Sequence, residues 1–218
     1  MRLSLIGMAG SGKSYWSRKL EGNGYRRFCC DDMIAEKLGP ELKNPDGTPK
    51  SVADWMGFPY DAGYNERESR YLSLEAEVLR EIIEYLGSRE GDPEESVVVD
   101  TTGSVIYTGD ELLKKLSRVT TIVLLETPSV VQERLLKAYL EHPHPMLWRG
   151  MFSRKPGESP LDALARCYPL LFASRARLYR SYVHVTIGYD DVRRNGFETK
   201  DFLGLIHSSL KNSPGQGL

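Results

Sequence analysis

Residues 3 to 20, LSLIGMAGSGKSYWSRKL, constrain the fold more than any other stretch of this chain. A short apolar run breaks into glycine and a helical pattern follows, so a strand must feed a tight loop that opens into a helix. Gly7, Gly12, Lys13 and Ser14 satisfy the spacing GxxxxGK[ST], with Gly10 as an additional small residue. Glycines let consecutive backbone N–H groups turn inward around phosphate oxygens, and the helix that follows presents its positive end. Lys13 is expected to reach the β- and γ-phosphates of a nucleotide, and the Ser14 hydroxyl to ligate Mg²⁺. A chance glycine-rich turn is the competing reading, and the strand before and helix after argue against it. Gly7, Gly10, Ser11, Gly12, Lys13, Ser14 and Tyr15 form the expected nucleotide-binding set, with ATP and Mg²⁺ as cofactors.

Beyond the loop, short β-like runs alternate with helical stripes. Leu3–Ile6, Tyr25–Cys30, Val97–Val99, Thr121–Leu125 and Val183–Ile187 read as strands, and triplets such as VVV suit strands covered on both faces. Tyr71, Leu74, Val78, Leu79, Ile82, Ile83 and Leu86 make one helical stripe. Val130, Val131, Leu135 and Tyr139 make another, and Phe202, Leu203, Leu205, Ile206 and Leu210 a closing one. Strands alternating with helices imply a doubly wound α/β fold, with five parallel strands and the ligand at their carboxyl ends. The 218 residues suffice for one domain, expected over 1–212 with a flexible tail at 213–218. Two stretches interrupt the pattern: 39–50 reads as an exposed insertion, and 142–160 as a functional or disordered loop.

Forty per cent hydrophobic and 27 per cent charged residues with a net charge of −1 give no electrostatic case for nucleic acid or an anionic membrane. Three cysteines without CxxC spacing exclude a disulfide framework and a zinc site, and a cytoplasmic monomer is expected. His142 and His144 lack a third ligand at metal spacing and read as surface residues, while His184 reads as core.

Transfer chemistry needs carboxylates near the loop, and two strand ends supply them. Asp100 follows three valines, as a carboxylate that reaches Mg²⁺ directly or through water would; the alternative is a cap or turn aspartate. Asp31 and Asp32 follow the second strand. One of them is expected to cap the next helix, with Asp32 favoured for the cap and Asp31 for the acceptor side.

In order along nearly the whole chain, these segments resemble the shikimate kinase family of P-loop, nucleoside-monophosphate-kinase-like enzymes. IGMAGSGKS, DDMIAEKLG, SVADWMG, YLSLEAEVLREI, SRARLY and RRNG carry the resemblance. It implies a three-layer α/β/α P-loop NTPase-type fold, a mobile lid over 142–160, and transfer of the γ-phosphoryl group to a hydroxyl of a small, anionic metabolite. By that likeness Asp31 binds the acceptor and Arg175 holds its anionic group. Arg134 stacks on adenine across from the turn beginning at Arg194, and Gly103 stands in the acceptor loop. The family's lid arginine falls on His144, with Arg149 as the nearest substitute and Arg154 beside it.

Some positions depart from the family pattern. The strand-two metal aspartate falls on Cys29, and a thiol is a poor ligand for a hard cation, so Asp100 is the expected replacement. A substrate arginine falls on Tyr71–Leu72, leaving Arg70 as the adjacent candidate. The triple glycine becomes DTTGS. These changes leave a second reading open, a nucleotide-binding regulator without transfer activity. An NTP hydrolase would need a water-positioning residue that the sequence does not point to.

Overall fold

The computed structural model describes residues 1–88 and 95–212, so the tail expected over 213–218 lies outside the described residues. Five strands, β1 (Arg2–Ile6), β2 (Arg26–Cys29), β3 (Val97–Asp100), β4 (Thr121–Leu125) and β5 (Val185–Ile187), form one sheet in the order β2-β3-β1-β4-β5. Every pairing is parallel. The expected strands are all present, with β2 and β5 shorter than their apolar runs.

Eight α-helices accompany the sheet among the described residues: α1 (Lys13–Glu21), α2 (Cys30–Leu38), α3 (Val52–Met56), α4 (Tyr64–Ser88), α5 (Asp110–Val119), α6 (Gln132–Glu141), α7 (Pro160–Arg180) and α8 (Thr199–Asn212). Side-chain alternation splits the core between the two sheet faces. Leu3, Leu5, Val98, Val123 and Val185 pack with Trp16 of α1 and Phe202 and Ile206 of α8. Ile6, Val97, Val99, Ile122 and Leu124 pack with α4 and α7 residues such as Leu74, Val78, Leu171 and Phe172 on the other face. Three layers result.

The chain leaves β1 at the sheet centre, with β3 on one side and β4 on the other. Such a reversal of winding opens a crevice at the carboxyl ends of the strands. The residues after β1, β2 and β3 therefore meet there.

Several local expectations need correction. Asp32 does not cap α2, because β2 runs directly into that helix with Cys29 at the cap and both aspartates in the first turn. A negative charge there still suits the helix dipole. Val130 sits in a 3₁₀ turn ahead of α6 and is 86% exposed, since that turn rotates it away from the stripe holding Tyr139. His184 is exposed just ahead of β5, where its Nδ1 accepts the Ile122 N–H at 2.8 Å. The 39–50 stretch is the expected surface excursion, closed by a bridge between Lys43 and Pro49.

The 142–160 segment is anchored to the domain. Met146, Leu147 and Trp148 are buried in the main core. The Tyr64 hydroxyl donates to the Met146 carbonyl at 2.6 Å and accepts the Trp148 N–H at 3.0 Å. The Arg149 N–H donates to Glu68 at 2.8 Å.

Candidate active site

The loop after β1 takes the form its glycines permit, with Gly7, Gly10 and Gly12 all at positive φ. Helix α1 starts immediately behind it. It has no side-chain cap and no acidic residue in its first turn. Each of the other α-helices among the described residues carries Asp or Glu in its first turn. The α1 N-terminus is thus the one left open to an external anion, and its free N–H groups and dipole favour one. The buried Ser11 hydroxyl in the same loop has no hydrogen-bond partner.

Lys13 folds into this loop, where Nζ donates to the carbonyls of Gly7 (2.9 Å) and Met8 (3.0 Å). Burial lowers its pKa, while the charges of Asp100 and Asp31 oppose that shift. Ser14 stands one residue on, and its hydroxyl lies 3.4 Å from Oδ1 of Asp100. Asp100 is buried; its Oδ2 accepts from Ser17 at 2.8 Å and from Arg27 at 2.9 Å. Ser14 and Asp100 together present two oxygens, and no group of three acidic, histidine or cysteine side chains placed to hold a metal ion exists among the described residues. That donor set fits Mg²⁺, which keeps waters and phosphate oxygens and takes only one or two ligands from protein. Cys29 does not compete: burial pushes its thiol up to about 11, so it stays protonated.

A cleft of about 640 Å³ extends from the loop between α2, α4, α6 and α7. Asp31 faces it, open to the solvent in the cleft yet walled by protein. Its Oδ1 accepts the Tyr71 hydroxyl at 3.0 Å, and desolvation raises its pKa. Arg175 lines the far end at 2% exposure. One arm donates to the Leu147 carbonyl at 2.6 Å, and Nε has no partner. Gly103 lies against it, such that a Cβ at that position would stand 3.3 Å from Nη1. Lys13, Ser14, Asp31, Gly103 and Arg175 therefore share one cavity.

Other candidates fall elsewhere. Arg70 lies outside the cleft, 3.2 Å from Glu41 and half exposed, because Tyr71 takes the inward face of α4. Arg149 pairs with Glu68 at 3.6 Å, and Arg154 donates to the Glu158 carbonyl at 2.8 Å. Arg194 pairs with Asp191 at 3.6 Å. Its neighbour Arg193 reaches the loop, donating to the carbonyls of Gly10 and Ser11 at 3.2 Å each and stacking 3.5 Å from the Tyr189 ring centre. Arg134 donates to the hydroxyl of the same tyrosine, so it and Arg193 converge on Tyr189. Tyr15, at the mouth, is 54% exposed.

Two features escaped sequence reasoning. His144 is no surface residue: it lines the cleft, its Nε2 is buried without a partner, and burial with the Arg175 and Lys13 charges lowers its pKa to about 4. Glu75, buried on α4, accepts from the hydroxyls of Thr102 and Ser104 and so holds the loop that follows β3. Desolvation raises its pKa to about 7 despite those bonds.

A measurable consequence follows for stability. Between its ordinary value of 4.5 and about 7, native Glu75 keeps a proton that the unfolded chain releases. Its contribution therefore falls by about 3 kcal/mol as pH rises through that window. His144 acts in the opposite sense, since a lowered histidine pKa destabilises the native state as pH falls below 6.5. The difference between Glu75→Gln and wild type cancels this term. Urea unfolding at pH 5 and pH 8 should show the variant gaining on wild type by about 2–3 kcal/mol at the higher pH. An unchanged difference would remove the buried titration.

No family model matches this sequence, and no curated protein matches it. Solved structures do. A shikimate kinase from Acinetobacter baumannii in complex with shikimate superposes with a TM-score of 0.60 at 21% identity, covering 98% of this chain and 95% of that one. Shikimate kinase from Bacteroides thetaiotaomicron gives 0.55 at 19% identity, over 97% and 94% of the two chains. The Aquifex aeolicus enzyme gives 0.53 at 19%, covering both chains fully. With its five-stranded parallel sheet and glycine loop at the first strand end, this chain has the fold of the shikimate kinases, a P-loop kinase fold.

Proposed function

We propose that this protein is an ATP- and Mg²⁺-dependent kinase that phosphorylates a hydroxyl of a small polar metabolite bearing an anionic group. The observation that carries the reading is the uncapped, acid-free N-terminus of α1 behind a positive-φ glycine loop, opening into a cleft with Asp31 and Arg175. Loop N–H groups and Lys13 hold the β- and γ-phosphates, and Arg134 with the 189–194 turn receives the base. Ser14 and Asp100 hold Mg²⁺, which supplies charge neutralisation across the phosphates when bound. The free Nε of Arg175 takes the acceptor's anionic group, which places a hydroxyl between Asp31 and the loop. That hydroxyl's oxygen bonds to the γ-phosphorus as the bond to ADP breaks, and its proton passes to Asp31. Burial favours this, because a carboxylate with a raised pKa accepts a proton more readily. Shikimate is one candidate acceptor. The three cysteines are free, which suits a cytoplasmic enzyme.

One observation favours a nucleotide-binding regulator instead. Arg149 and Arg154 are tied to Glu68 and Glu158 and do not enter the cleft, so no lid guanidinium reaches the transferring phosphoryl group. ADP release measured against a panel of hydroxylated acids, shikimate included, separates the two readings. A kinase shows acceptor-dependent stimulation above the rate with water alone. Nucleotide binding with no stimulation by any acid would leave the regulator standing.

A further inference from the structure

We infer that Arg27 makes divalent-metal binding at Ser14 and Asp100 conditional on a bound nucleotide; this rests on the kinase reading above. Asp100 ends β3 at 2% exposure, and Arg27 reaches it from the neighbouring strand β2. Three polar contacts close a triangle. Arg27 Nη2 donates to Asp100 Oδ2 at 2.9 Å, Arg27 Nε to the Ser17 hydroxyl at 2.8 Å, and that hydroxyl to the same Oδ2 at 2.8 Å. Oδ2 is thereby committed, and Oδ1 is left facing Ser14 across 3.4 Å, a weak contact that a metal ion or its water readily replaces.

Geometry and charge then act separately. The triangle fixes the carboxylate rotamer with its open oxygen toward Ser14. The guanidinium also cancels the carboxylate charge, leaving the pair neutral. Lys13 and Asp31 add opposite charges beside it, the Cys29 thiol adds none, and Glu21, which also faces Arg27, is exposed at the end of α1. A divalent ion arriving alone meets two oxygens and no net negative charge. The phosphates supply what is missing, so the metal enters with the nucleotide. Arg27 acts through Asp100 and is a positioning residue.

Removing the charge of Arg27 while keeping Asp100 should therefore create a metal site that needs no nucleotide. The test uses the purified full chain at pH 7.5 and Mn²⁺ as the probe, with free Mn²⁺ read by electron paramagnetic resonance with and without ADP, each against a protein-free blank because ADP itself chelates Mn²⁺. Wild type should bind Mn²⁺ with ADP and, without it, only more weakly than about 1 mM. Arg27→Gln should gain roughly tenfold or more in nucleotide-free affinity, because the positive charge that offsets the Asp100 carboxylate is removed. Arg27→Lys, which keeps the charge, should behave as wild type. Arg27→Met serves as a second neutral variant if Gln disturbs folding. A gain of binding is not something that loss of a purely structural bond produces. The inference is overturned if wild type binds Mn²⁺ equally well with and without ADP, or if folded neutral variants bind it no better than wild type. A wild type that binds no ADP at all would remove the kinase reading itself, and this inference with it.

Discussion

Lys13→Met should reduce acceptor-dependent turnover by roughly 10²–10³-fold while leaving the protein folded. The lysine is 7% exposed, and its ammonium already sits on the Gly7 and Met8 carbonyls of the glycine loop proposed to hold the phosphates. Charge placed in advance in a low-dielectric site stabilises a transferring phosphoryl group without reorganisation, and methionine has the length but not the charge. Stability responds less, because two opposing terms change together. The carbonyls of Gly7 and Met8 lose their donor, which costs about 1–3 kcal/mol, and the desolvation penalty that depresses the Lys13 pKa disappears. The measurement is kcat alongside the unfolding midpoint. Retention of more than about a tenth of wild-type turnover by a folded Met variant would contradict the placement of Lys13 on the phosphates.

The parts of the site that were legible are those set by local physics. The β1–loop–α1 unit reads from sequence because its glycine spacing and apolar periodicity lie within about fifteen residues. Asp100 reads because three buried valines precede it. Illegible parts depend on which side of an element a residue faces, or on partners far along the chain. Arg70 and Tyr71 are neighbours, yet one residue is about 100° of helix rotation, enough to send the arginine to Glu41 and the tyrosine to Asp31. Arg193 and Arg194 divide the same way, one on the loop and one on Asp191. Glu75 meets Thr102 and Ser104 from 27 and 29 residues away, and Arg27 meets Asp100 across 73. No periodicity encodes such pairs. His144 misled for a related reason: its proline-flanked setting suggests a surface turn, but that turn is pressed into the core by Tyr64, Glu68 and Arg175.

Gly7→Ala should be strongly damaging, costing about 2–5 kcal/mol and abolishing tight ADP binding. Two independent penalties meet there. Gly7 has φ +143°, a conformation that L side chains rarely adopt. A Cβ would also stand 2.7 Å from the Leu125 carbonyl oxygen and 3.0 Å from the Ser11 hydroxyl. The nearer obstacle is backbone at the end of β4 and cannot swing aside, so the loop must move. Moving it displaces the Gly7 carbonyl that anchors Lys13 and the buried Ser11 side chain packed beside it. Gly24→Ala isolates the first penalty, since its φ is +87° and a Cβ there meets nothing within 4 Å. It should cost only about 1 kcal/mol and leave ADP affinity unchanged. Urea unfolding and calorimetric ADP titration of both variants separate strain from obstruction. Equal losses at the two positions would mean that the contact with Leu125 costs nothing, and the loop would then not be held as tightly against β4 as the geometry requires.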